Sequence, residues 1–234
     1  MKGKIILLVL FIVPVLLFAG CNIKKSCDNI KNPLDRDDCY LNKAVEDVEL
    51  NSCDFIQSET VRNSCIAEIG IVNKDLSVCN SIEGKSRDYC VAKIAIANKN
   101  PLLCNEVNTT YWSDICNKDF ALSEGNSTKC AKIANMFEKD TCYDTIARDK
   151  LDAGTCFYIY NETTHDKCVR KIAIDTLNES LCEETRTVVM GDVCYQQLAK
   201  LKKNESICQE ASYLEIKNAC IAMVRSILNK TNES

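Results

Sequence analysis

The chain has 234 residues, of which only 6% are aromatic, with 7 Gly and 3 Pro; this is poor material for a turn-rich β protein and suits helices with short connections. The formal net charge of −4 is spread over both signs along the chain, without the basic stripe that a nucleic-acid partner would need. Seventeen cysteines mean thiols or metal ligands in a reducing compartment, and disulfides in an exported chain.

The N-terminus bears on the compartment. Lys2 and Lys4 precede an apolar run from Ile5 to Phe18, and Ala19-Gly20-Cys21 follows. A charged start, a short apolar segment and small residues before a cut site make an export signal. A membrane-spanning helix is the competing reading, and the run is short for one. The ending "LFAGC" resembles the lipobox of prokaryotic lipoproteins, with Phe18 in place of the usual aliphatic residue. That resemblance covers residues 1–21. It implies a signal peptide over 1–20, cleavage before Cys21 and a diacylglyceryl thioether on the Cys21 sulfur. Two acyl chains give a stable anchor where one is marginal. The expected location is the extracytoplasmic side of a membrane, held by lipid at Cys21, with 21–26 as a tether. Removal of Lys2 and Lys4 takes the charge from −4 to −6.

Sixteen further cysteines, from Cys27 to Cys220, follow at gaps that alternate 12 and 14, except for a gap of 11 between Cys79 and Cys90. They define eight units of period near 26 over 27–228, followed by a polar tail, 229–234. Four residues before the first cysteine of a unit stand Asp75, Asn100, Asn126, Asp152, Asn178 and Asn204, residue types that cap a helix start. Two residues before the second cysteine stand Asp37, Asn63, Asp88, Asp114, Asp140, Asp166, Asp192 and Asn218, which read as caps or first-turn charges of a second helix. Five residues after it comes a small residue in seven units, from Ala44 and Gly70 to Ala199, which lets a neighbouring helix approach closely. Each unit is therefore expected to be a short helix, a turn and a longer helix. Such a hairpin cannot bury its own apolar face, but eight stacked hairpins share a core. The expectation is an all-α, right-handed-type α-solenoid of about eight disulfide-stapled helical hairpins. It resembles helical solenoids in general, and its period is too short for tetratricopeptide or Sel1-like units.

Pairing across the 12-residue gap uses all sixteen cysteines, whereas pairing across the 14-residue gap strands Cys27 and Cys220. The count selects Cys27–Cys39, Cys53–Cys65, Cys79–Cys90, Cys104–Cys116, Cys130–Cys142, Cys156–Cys168, Cys182–Cys194 and Cys208–Cys220. Each bond closes a loop of about a dozen residues, worth somewhat under ~3 kcal/mol on the chain-entropy model.

Motifs that carry catalysis are missing. Without C-x-x-C, neither structural zinc nor dithiol redox chemistry is expected. No cofactor is expected either, since no phosphate-binding glycine pattern occurs. His165, the only histidine, reads as a surface polar residue, because Arg36, Arg62, Arg87 or Lys139 stands there in other units. The Asp row could be a cation ladder, but Asn63 and Asn218 ligate poorly.

Asn108, Asn161, Asn229 and Asn232 are candidate glycan acceptors; the sequons at Asn126, Asn178 and Asn204 coincide with expected caps. Tyr111, Trp112, Phe137 and Tyr160 cluster between first and second cysteines of successive units. They are either local packing over a disulfide or an aromatic edge for a partner. The expected function is non-catalytic binding of a protein or glycan partner by a membrane-anchored scaffold. A self-associating envelope component is the alternative; an enzyme would need a carboxylate site that no motif announces.

Overall fold

The computed structural model describes residues 27–232. The export signal, Cys21 and the tether lie outside the described residues, as do the side chains of the last four. Every element among the described residues is helical, and they form eight successive hairpins. The long helices are Pro33–Asp47, Glu59–Asn73, Gly84–Ala97, Thr110–Glu124, Met136–Lys150, Glu162–Thr176, Val188–Lys202 and Leu214–Asn232. We number the units 1 to 8 by these helices. The last helix runs to Asn232, so its end is helical through the start of the polar tail.

The short element before each long helix is tighter than expected. It is a 3-10 turn in six units, such as Pro101–Glu106 and Ser127–Lys132, and a single α turn only in Leu76–Cys79 and Ala153–Cys156. A 3-10 turn rises faster per residue and is sufficient to carry one cysteine and one aliphatic residue inward. All six anticipated caps form: the side chains of Asp75, Asn100, Asn126, Asp152, Asn178 and Asn204 each accept from the N–H two residues on.

These capping residues also end the preceding long helix. The N–H of Asn126 donates to the carbonyl of Ala121, and that of Gly125 to Leu122, the paired bonds of a Schellman stop. The residue in between is left-handed: Val48, Lys74, Lys99, Gly125, Leu151, Leu177 and Lys203 all have φ of 51–58°. One residue thus closes one helix and opens the next, which is why the units are so short.

All eight disulfides join first to second cysteine within a unit. Their Cα separations of 5.5–5.9 Å fall in the range a disulfide requires, about 4.4–6.8 Å. The sulfurs lie along the centre of the core, flanked by Ile56, Ile94, Ile133, Ile159, Ile172 and Leu198, each about fully buried. The small residue five after the second cysteine lies in the same buried cluster as the next unit's disulfide, Ala95 with Cys104 and Cys116 and Ala147 with Cys156 and Cys168 for example. A Cβ on Gly70 would sit 3.0 Å from Cys90 Sγ.

The aspartates two before the second cysteines do not cap their own helices. They are buried inside the first turns, and each carboxylate reaches into the following unit. Asp37 accepts from the backbone N–H groups of Gln57 and Ser58 at 2.9 and 2.8 Å. Asp88 takes Asn108 and Thr109, Asp114 takes Ala134 and Asn135, and Asp140 takes Tyr160 and Asn161. Asp166 takes Arg186 and Thr187, and Asp192 takes Ser212 and Tyr213. The second donor of each pair opens the next long helix, so the anion sits at the positive end of a neighbouring helix. The physical reason for the departure is supply. The N-cap position of each long helix lies five residues before its aspartate, Asn32 before Asp37 and Asn135 before Asp140 for example, so the carboxylate stands past the free N–H groups of its own helix and meets those supplied by the next unit.

Candidate binding site

The first turns of the long helices and the residues just before them form one edge of the array. Tyr111, on the first turn of unit 4, is exposed; Trp112, beside it, is half-buried and packs against the buried cluster that includes Cys90, Ile94 and Phe120. Tyr111 meets Trp112 edge-on at 4.9 Å, and Tyr89 of unit 3 lies 4.9 Å from it on a tilt. The Tyr89 hydroxyl donates to Glu68 at 2.8 Å. Burial, together with the Glu68 carboxylate, pushes the Tyr89 phenol up to about 12, so it remains a neutral donor. Ser64, Lys85, Ser86 and Thr109 complete an open groove of about 490 Å³ with these rings.

Two more grooves follow along the same edge. Tyr111 also borders the second, about 460 Å³, with Ile115, Lys118, Asn135 and Glu138; Lys118 and Glu138 form an ion pair across it at 2.6 Å. The third, about 550 Å³, lies between Met136 and Phe137 of unit 5 and Tyr160 of unit 6. Phe137 and Tyr160 are the most exposed of the four aromatic candidates, at 75% and 73%. The repeat therefore brings Tyr111, Trp112, Phe137 and Tyr160 onto one edge, spread over adjoining grooves rather than gathered in one.

Other aromatic residues pack locally. Tyr143 stacks on Tyr158 at 5.4 Å, and Tyr40 on Phe55 at 5.3 Å. His165 is not at the surface. It is fully buried, with Nδ1 3.0 Å from Asp166 Oδ1 and its ring 5.6 Å from that of Phe157. The arginines at this position in units 2 and 3 reach backbone carbonyls on long stems, Arg62 that of Ile56 and Arg87 that of Glu106. An imidazole has no such reach, and Arg186 lies across the same corner, bonded to the carbonyls of Phe157 and Tyr160. The sequence signal was the neighbour, since His165 precedes one of the aspartates that cross to the next unit.

Of the glycan acceptors, Asn108, Asn161 and Asn229 are exposed. Asn161 caps its helix, its Oδ1 accepting from the Thr164 N–H and hydroxyl, as the Oδ1 atoms of Asn126, Asn178 and Asn204 accept at theirs. The Asn232 side chain lies outside the described residues.

No protein family, curated protein or solved structure matches the chain.

Proposed function

We propose that this chain is a non-catalytic scaffold, held by lipid at Cys21 on the extracytoplasmic side of a membrane, that binds a protein or glycan partner along the aromatic edge of units 3 to 6. The observation that carries the reading is the exposure of Tyr111, Phe137 and Tyr160, at 66–75%, beside grooves that no side chain among the described residues fills. Aromatic side chains dominate interface energetics, and leaving three of them in water is costly unless a partner covers them. Eight disulfides suit an oxidising compartment. A chain with Tyr111, Phe137 and Tyr160 changed to Ser should keep its melting temperature and lose its partner when offered an extract of the cell's own surface. Equal capture by parent and variant would overturn the reading.

A self-associating envelope component is the second reading. Leu34, Val188, Val189 and Leu214 are also exposed, at 50–68%, and stand on the first turns of units 1, 7 and 8. They extend an apolar row beyond the aromatic units, as a lateral contact between copies would need.

A further inference from the structure

We infer that the groove at units 2, 3 and 4 is a saccharide subsite, taking a pyranose ring against Trp112. This rests on the binding reading above and narrows its partner to a glycan. The groove is lined by three aromatic rings, three hydroxyl side chains and one ammonium, with no aliphatic side chain and no carboxylate. A pyranose has a C–H face without charge and a rim of hydroxyls. Aromatic faces suit the first, and Ser and Thr, which both donate and accept, suit the second. An apolar peptide side chain would call for aliphatic lining, and a cationic partner for carboxylates.

The site is already organised. Tyr111 and Tyr89 both contact the indole, Tyr89 is tied to Glu68, and Trp112 rests on the core, so few rotors remain to be frozen on binding. The Ser64 hydroxyl donates to the Thr60 carbonyl at 3.0 Å, which leaves its lone pairs to accept. The Thr109 hydroxyl oxygen is buried and has no hydrogen-bond partner, an orphan of the kind that a bound hydroxyl satisfies. A volume of about 490 Å³ lies within the usual range of small-ligand sites, about 300–1,000 Å³.

The groove also coincides with the one break in the repeat. Unit 3 has the gap of 11. At the position where six other units carry Asp, unit 2 has Asn63. Gly84 takes φ +65°, with open space where a Cβ would be. Ser64 follows Asn63, and Lys85 and Ser86 follow Gly84. The chain's single tryptophan stands over this departure and nowhere else, as expected where stacking regularity has given way to a site.

The test uses the full chain in detergent micelles, where Trp112 is the only tryptophan and its emission reports the groove directly. An array of neutral, N-acetylated and acidic oligosaccharides is screened, the acidic members because Lys85 lies at the rim. The strongest binder is then titrated against Trp112 fluorescence. A saturable change is expected, with Tyr111→Ala raising Kd at least tenfold while far-UV circular dichroism is unchanged. If no oligosaccharide binds, or if Tyr111→Ala leaves Kd unchanged, the subsite is refuted. A protein captured by the parent and lost in the triple Ser variant, with no oligosaccharide bound, would refute the subsite and leave the wider binding reading intact; loss of both would refute both.

Discussion

Six carboxylates do at residue scale what capping groups do within other helices, but they do it between units. The carboxylate of Asp166 is a clear case. Burial raises its pKa, yet the Thr187 hydroxyl, His165 and the N–H groups of Arg186 and Thr187 outweigh burial and leave it below the usual carboxylate value. A lowered folded-state pKa adds stability that is present above the unfolded value, about 3.9, and is lost as pH falls through the folded value. Asp166→Asn should therefore cost about 1.5–3 kcal/mol or more at pH 7, because hydrogen bonds to a charged group are worth that and an amide cannot accept at both atoms. Urea unfolding should show the gap between parent and variant closing below pH 4. A gap independent of pH would mean that the carboxylate's charge is not what holds the junction. The spacing of these residues was legible in the sequence, but their role was not, because their partners lie 20 and 21 residues on. One clue was present. Asp occurs in the six units that precede a 12-residue gap, and Asn occurs in unit 2, before the gap of 11.

At the scale of elements, the helix stops carry avoidable strain. Leu177 adopts φ 53°, a conformation that costs L-residues about 1–2 kcal/mol and glycine almost nothing. Its side chain is about half exposed, so little packing would be lost. Leu177→Gly should raise stability by about 0.5–1 kcal/mol, read as a rise in melting temperature. Unit 4 already has glycine at this position, Gly125. Destabilisation would show that Leu177 contributes packing that its exposure hides. The helix starts were legible because Asp and Asn four before a cysteine cap locally, and capping is a short-range effect. The left-handed stops were not, since Val, Lys and Leu carry no signal for that conformation. The aromatic edge was legible as a cluster, because repeat spacing alone aligns equivalent positions; its division into grooves depends on how neighbouring helices sit, which spacing does not encode.

For the whole molecule, every disulfide among the described residues closes within a unit, and units are joined to one another by backbone, carboxylate bridges, side-chain bonds such as Lys118–Glu138 and Tyr89–Glu68, and apolar contact. This gives the array the mechanics of a chain of rigid links with breakable couplings. Pulled from its ends, it should lengthen one unit at a time. The cross-linked loop of each unit cannot pay out, so only the 14 residues between one unit's second cysteine and the next unit's first can straighten, at most about 50 Å per step. Single-molecule force spectroscopy in oxidising buffer should show steps no longer than this. With dithiothreitol the limit rises toward about 90 Å, the contour of a whole unit of about 26 residues. Longer steps without reductant would mean that units give way in groups. An array built this way yields under load by small increments, and the groove between Tyr89 of unit 3 and Trp112 of unit 4 opens when the junction between those two units gives way.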